Sequence, residues 1–386
     1  MKSSFIPLSV PNLKGNELKY VTKAIEDEWV STAGPYIESF EKEVARYVNV
    51  KGSVAVQNGT SGIHLALKAL GVSNEDEVIA PTLTFIAAVN PITYCGASPV
   101  FMDSDQSLGL DAIKLRKFLE EECVVNGNNV INKSTNKVIK AIVVVHVFGN
   151  MADMEGIMDV ADRYKLPVIE DATEAIGTYY TDGSLKGKYA GTIGKIGVFS
   201  FNGNKIMTTG GGGMIVSNDV ELLNTSKHLS TQAKIDPLYY THDEVGYNYR
   251  MTNIQAALGL AQLEQLEGFI KNKKSNYKYY QDKLESISGL SLIPFRKETR
   301  PNYWFYGMVI SEQYSCNRNE LMEKLAKEGI QSRPIWDLIH QQKPYRERQA
   351  YQINYSSKLL NHVINIPCSS NLTEKEIDRV ISTLEG

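Results

Sequence analysis

An alternation constrains this chain more than anything else in it. Short apolar runs, separated by helical patterns, recur across the first two thirds. "SVAVQ" (53–57), "DEVIAP" (76–81), "SPVFMD" (98–103), "KAIVVVH" (140–146), "LPVIED" (166–171), "GVFSF" (197–201) and "GMIV" (213–216) read as strands. After the first, Ile63, Ala66, Leu67 and Leu70 recur at i, i+3, i+4 and i+7, one face of a helix. Another helix is expected near 153–164. The β-branched run in "KAIVVVH" suits a strand covered on both faces. Repeated β/α units with covered strands predict an α/β protein, its mostly parallel central sheet flanked by helices.

Beyond about residue 217 the pattern turns helical. "TNIQAALGLAQLEQL" (252–266) opens on a Thr cap, and 271–284 reads as a solvated helix. Strand-like "NYWFYGMVI" (302–310) and a helix around 319–328 follow. In "TEKEIDRVISTL" (373–384), Thr373 and Glu376 predict a capping box, and Ile377, Val380, Ile381 and Leu384 share one face. Two units are expected: a large one with the N-terminal segment, 1–269, and a smaller C-terminal α/β unit, 270–386. Polar "NGNNVINKSTNK" (126–137) reads as an exposed loop.

Several function classes are excluded. The net charge is −3, with 41 Lys and Arg against 44 Asp and Glu, so there is no basic excess for nucleic acid. No apolar run approaches the ~20 residues needed to cross a bilayer. The start, "MKSSFIPLSVPNLKGNE", has no apolar signal-peptide core, so a cytoplasmic location is expected. The four cysteines, Cys95, Cys123, Cys316 and Cys368, are far apart, which predicts neither a disulfide framework nor a metal site.

Three stretches carry chemistry. In "QNGTSGIHLAL" (57–67) a strand ends and Gly59 and Thr60 open a helix, whose free N–H groups and dipole favour a phosphate. A plain helix cap gives the same pattern. In "VIEDATEAIG" (168–177), Glu170 and Asp171 sit at the end of a buried strand, the edge where open parallel sheets bind ligands. A carboxylate there favours the protonated form of a ring nitrogen, or merely caps a helix. In "SFNGNKIMTTGGGG" (200–213), Lys205 precedes four glycines. An amine in a desolvated pocket can add to an aldehyde, and glycines let backbone pass close to a flat ligand. A surface lysine before a loose hairpin would look the same. Together, in this chain order, the three meet the needs of one cofactor, pyridoxal 5′-phosphate: N–H donors for its phosphate, a carboxylate for its pyridinium and an amine for its aldehyde.

The sequence resembles the pyridoxal phosphate-dependent sugar aminotransferases of the DegT/DnrJ/StrS family, which have fold-type I, the aspartate aminotransferase fold. "IPLSVPNL", "GPYIESFEKEVARYV", "NGTSGIHLALKALGV", "PTLTFIAAVNPI", "HVFGN", "IEDATEAIG", "SFNGNKIMTTGGGG", "GYNYRMTNIQAALGLAQL" and "RPIW" carry the likeness over nearly the whole chain. By position it implies that Lys205 binds the cofactor aldehyde and then serves as acid and base, while Asp171 faces the pyridine nitrogen. Glu174 would face the ring 3-hydroxyl and Phe85 would stack on the ring. Gly59, Thr60 and Ser200 would hold the phosphate, and Asn248 the phosphate of a neighbouring subunit's cofactor. A homodimer with shared sites is therefore implied. Arg333 and His340 would approach the substrate. The cofactor would alternate between its aldehyde and pyridoxamine forms, with glutamate as amino donor and a nucleotide-linked 4-keto-6-deoxy sugar, aminated at C4, as acceptor.

Three departures are visible. Many relatives have Gln where this chain has Glu174, His-Pro or His-Ala where it has Asn202-Gly203, and Gly-Glu-Gly-Gly in the glycine stretch. The last two resemble a branch acting on UDP-linked 4-keto-6-deoxy-N-acetylhexosamines for surface glycans. Two other expectations stand beside the transaminase. A pyridoxal phosphate-dependent sugar dehydratase would commonly have His at position 205. A non-catalytic cofactor-binding regulator would need a DNA-binding module, and no basic extension is left to form one.

Overall fold

A computed structural model describes residues 5–236 and 238–385. Residues 1–4 and Gly386, the outer ends of the two expected units, lie outside them. The first ten strands are β1 (Gly52–Val56), β2 (Asp76–Pro81), β3 (Ser98–Met102), β4 (Cys123–Asn126), β5 (Asn129–Asn132), β6 (Val138–Val145), β7 (Val168–Asp171), β8 (Tyr179–Tyr180), β9 (Ile196–Ser200) and β10 (Gly213–Ser217).

The central sheet runs β1-β10-β9-β7-β6-β2-β3 and is extended past β3 by the short strand Ala350–Tyr351. From β9 through Ala350–Tyr351 every neighbouring pair on this path is parallel. β2, β3, β7, β9 and β10 are buried along their full length, and so are the last five residues of β6. Strands this apolar need cover on both faces. Each Val or Ile withdrawn from water contributes about 1.5–3 kcal/mol. The expected class is observed, with a mixed edge: β1, β10 and β9 pair antiparallel.

Two local readings need correction. Residues 126–137 are not simply an exposed loop. β4 and β5 form a hairpin with Asn126 opposite Asn129, and β5 adds antiparallel to β6. Gly127, at φ +61°, supplies the left-handed turn residue, so "NGN" was a hairpin signal. Asn132 is fully buried and its amide donates to Glu77 and Gln349 at 2.7 and 2.6 Å, which explains a polar residue there. The strand read at 302–310 begins only at Tyr306. Before it, Tyr303 takes φ +57° and breaks the extended run.

The C-terminal part builds an antiparallel sheet in the order Leu290–Leu292, Tyr306–Ile310, Val363–Ile366, Arg333–Pro334. The closing helix, Glu374–Glu385, buries Ile377, Val380, Ile381 and Leu384. Thr373 and Glu376 exchange the expected capping-box bonds, at 2.8 and 3.3 Å. We propose 1–269 and 270–386 as the two units. The helix Leu266–Leu284 runs continuously across that boundary. The N-terminal segment crosses as well: Ile6 exchanges backbone hydrogen bonds with Gly329 and Gln331, and Cys368 N donates to Leu8 O. Among the described residues the four cysteines are free, and no helix is long and apolar enough to cross a membrane.

Candidate active site

A cleft of about 380 Å³ opens at the C-terminal ends of the parallel strands. Its lining includes Gly59, Thr60, Phe85, Asp171, Glu174, Ser200 and Lys205, residues from four separate stretches of the sequence. Its size falls within the ~300–1,000 Å³ usual for small-molecule sites.

The phosphate end forms where β1 meets the helix Gly59–Ala69. Asn58 caps that helix, its side chain accepting from Ser61 N at 2.8 Å. Gly62 N turns back to Asn58 O. The N–H groups of Gly59 and Thr60 are the remaining first-turn donors, and a helix start leaves such groups without intrahelical partners. A Cβ on Gly59 would lie 2.8 Å from Thr173 Cγ2 and 3.2 Å from Ser200 Cβ. A Cβ on Gly213 would meet the Asn58 carbonyl carbon at 2.7 Å and Gly59 N at 2.9 Å. Two of the four glycines thus serve the protein rather than a ligand. Gly210 takes φ +77°, Gly213 lets β10 pass the helix start, and Gly212 lines the cleft.

Strand alternation separates the two acids of "VIED". Glu170 is fully buried and accepts from Gly191 N, Ile193 N and Gly194 N. It also meets His146 Nε2 at 2.9 Å. Ala152 N donates to His146 Nδ1 at 3.2 Å, so the ring proton lies on Nε2 and points at Glu170. Neither residue lines the cleft.

Asp171 faces the cleft instead. Its side chain accepts from Thr173 N at 3.1 Å and from the Thr173 side chain. Burial raises its pKa above the usual carboxylate value, outweighing the Thr173 hydrogen bonds and the Lys205 charge that oppose the rise. A cation placed against it would complete the compensation.

Glu174 lies one turn further on. Phe148 N donates to its Oε2 at 2.8 Å, and Lys205 Nζ stands 3.5 Å from its Oε1. Burial pushes its carboxyl up to about 7, with the Lys205 charge opposing the rise. Phe148 holds φ +60°, rare for a bulky residue, and that turn aims its N–H at Glu174. The Lys205 side chain is 13% exposed, and its amine lies 4.0 Å from the centre of the Trp304 ring.

A pyridoxal phosphate fits this donor set. Free helix N–H groups, an under-compensated buried carboxylate and a shielded amine line one cleft at the positions its three functional groups require.

Other expected residues lie elsewhere. Asn248 is exposed and outside the cleft lining. Arg333 is exposed in a neighbouring cavity of about 500 Å³ that shares Asn204, Phe305 and Trp336 with the cleft. His340 is half-buried, with Nδ1 2.6 Å from Thr82 Oγ1, and is not part of either lining. Burial lowers its pKa. Sequence reasoning missed Trp304, Phe305 and Trp336. One signal was available: the chain has three tryptophans, and two of them line this cleft.

The model of the DegT/DnrJ/EryC1/StrS aminotransferase family matches residues 11–385. A GDP-perosamine synthase of Caulobacter vibrioides is 39% identical over 382 residues, covering 98% of this chain and 97% of its own. A UDP-4-amino-4,6-dideoxy-N-acetyl-beta-L-altrosamine transaminase of Campylobacter jejuni is 30% identical, covering 98% and 96%. Among solved structures, a DegT DnrJ EryC1 StrS aminotransferase from Brucella abortus superposes with TM-score 0.86 at 26% identity, over 96% of this chain and 94% of that one.

Proposed function

The chain belongs to the DegT/DnrJ/EryC1/StrS aminotransferase family and is a pyridoxal phosphate-dependent sugar aminotransferase, and from that premise we propose that it moves an amino group from glutamate to the C4 ketone of a nucleotide-linked 4-keto-6-deoxy sugar. One observation carries the reading: the Lys205 amine opens onto the same cleft as Asp171 and the helix start at Gly59 and Thr60.

Bound pyridoxal phosphate supplies an aldehyde and an electron-withdrawing ring. The chain supplies the rest. Gly59 N, Thr60 N and the Ser200 hydroxyl hold the phosphate at the positive end of a helix. Asp171 keeps a proton on the ring nitrogen by pairing with its charge. Phe85, 54% exposed on the cleft wall, covers one ring face. Lys205 would hold the cofactor through Nζ and, when free, would take a proton from the donor α-carbon onto Nζ and deliver it to the cofactor's former aldehyde carbon.

Asn248 lies outside its own cleft, so in this reading it serves a second copy, giving a homodimer with shared sites. Arg333 approaches the nucleotide end of the acceptor from the adjoining cavity. His340 acts at most through Thr82. A cytoplasmic enzyme of glycan biosynthesis fits these substrates.

For the carrier, the name of the Caulobacter relative favours GDP, and at 39% identity it outweighs the branch resemblance to UDP-linked N-acetylhexosamines. The UDP reading keeps support from "NGNKI", "TTGGGGM" and the Campylobacter relative, whose name also places the amine at C4. The test is incubation with glutamate and a panel of GDP-, UDP- and dTDP-4-keto-6-deoxy sugars, with products read by mass spectrometry and NMR. A 4-amino product with one carrier is expected. Formation of no aminated sugar with any of them sinks the proposal, as would normal turnover by Lys205→Ala.

A further inference from the structure

Among the described residues, Glu174 and Trp304 contact the Lys205 amine. Glu174 Oε1, at 3.5 Å, is beyond the ~2.7–3.2 Å of a well-formed hydrogen bond. The Trp304 ring centre, at 4.0 Å, is well inside the ~6 Å reach of a cation–π contact. The indole face is therefore the fully formed contact. The same indole donates its Nε1–H to Asn204 O at 2.8 Å, on the peptide that carries Lys205. One side chain grips the lysine at both its backbone and its tip.

Trp304 is itself over-determined. It is 2% exposed and stacks on Phe305, with centroids 3.9 Å apart at 9°. Its backbone N donates to Asn302 Oδ1 at 2.9 Å, and its carbonyl meets Cys368 Sγ at 3.4 Å. Tyr303, between them at φ +57°, turns the chain so that the indole faces the cleft instead of continuing a strand. A left-handed tyrosine persists only where its surroundings enforce it.

We propose that Trp304 is a positioning residue for the lysine of the reaction set out above, its ring face holding the released amine over the cleft and its N–H holding the peptide behind it. A free lysine has rotamer entropy to lose when it is held in one place. An amine that must leave and return within each turnover gains from a fixed resting place beside the reacting atoms.

The test uses the full chain labelled with ¹³Cε-lysine, both cofactor-free and as holoenzyme converted by glutamate to its amino form. The Lys205 signal is assigned by its loss in Lys205→Arg. In the wild type its ε-protons are expected upfield of the ordinary lysine position, shifted by the indole ring current. Trp304→Phe keeps an upfield shift, and Trp304→Leu loses it. The donor half-reaction should slow roughly tenfold in Trp304→Leu, about 1.4 kcal/mol, with KM little changed and much of the rate restored in Trp304→Phe. A wild-type Lys205 signal at the ordinary position overturns the inference whether or not the variants fold, as do equal rates in the Phe and Leu variants. Failure of the cofactor to label Lys205 sinks the aminotransferase chemistry instead. The cofactor-free spectrum still decides the contact.

Discussion

Asn302 donates its side-chain amide to the main-chain carbonyl of Glu174 at 2.8 Å, across 128 residues of sequence. The same amide donates to Ile176 O at 3.0 Å, and its oxygen accepts from Trp304 N at 2.9 Å. The residue is fully buried, so no water can replace these bonds cheaply. It couples the acid that faces the lysine on one side to the indole that faces it on the other. Asn302→Ala should destabilise the chain by roughly 3 kcal/mol, since buried partners left unpaired cost about 1–3 kcal/mol each. Urea unfolding measures this. Stability within 1 kcal/mol of wild type would show that the network is slack.

Gly213 is the second test, because it lets β10 pass the helix start that holds phosphate. Gly213→Ala puts a methyl 2.7–2.9 Å from the backbone of Asn58 and Gly59, which has no rotamer to yield. Overpacking of this kind costs about 1–3 kcal/mol. Here it also displaces the donors, so cofactor affinity should fall on the order of tenfold. Gly203→Ala is the control in the loop before β10, with open space around its Cβ and φ outside the left-handed region. Fluorescence titration with pyridoxal phosphate separates the two. Equal affinities would remove the phosphate role from this helix start.

Much of this was legible in the sequence, for stated physical reasons. The β/α alternation was strong because the sheet is buried on both faces, leaving apolar runs that nothing else explains. Gly59 and Asp171 were findable because they lie at a helix start and a strand end, and Lys205 because it sits in the glycine-rich loop between β9 and β10. Trp304 was not. It sits in an apolar stretch that scans as a strand, and only the positive φ at Tyr303 separates the two outcomes. Nor could spacing show that Glu170 turns away to His146 while Asp171 turns to the cleft. The hairpin at 123–132 was hidden by polar Asn132, whose partners Glu77 and Gln349 are remote in sequence.

Asp171→Asn keeps the shape of the carboxylate and removes its charge. Thr173 N can still donate to the remaining oxygen, so the loop should hold. What is lost is the group that keeps a ring nitrogen protonated. The cofactor should still bind through the helix start and Lys205. The rate should fall on the order of 100-fold, comparable to removing one preorganised electrostatic partner. Single-turnover measurement of the donor half-reaction checks this. An undiminished rate with bound cofactor would mean that Asp171 only caps its turn.

Glu174 gives a pH-dependent prediction for the cofactor-free protein. Its folded-state pKa, about 7, lies above the ordinary 4.5, chiefly through burial. Below about pH 4.5 both folded and unfolded chains hold the proton, and the group contributes nothing. Between 4.5 and 7 the unfolded chain releases it while the folded chain keeps it, so stability falls as pH rises through that window. Above 7 both are ionised and the full cost remains, up to about 3 kcal/mol at 1.36 kcal/mol per pKa unit. Glu174→Gln does not titrate, and its carbonyl oxygen can still accept from Phe148 N. The variant should therefore lie close to wild type near pH 4.5 and exceed it near pH 8, where the uncompensated carboxylate is gone. Thermal unfolding at the two pH values reads the gap directly. A gap that stays constant, or narrows toward pH 8, would mean that the Lys205 ammonium 3.5 Å away already stabilises the ionised form and that burial does not govern this carboxyl.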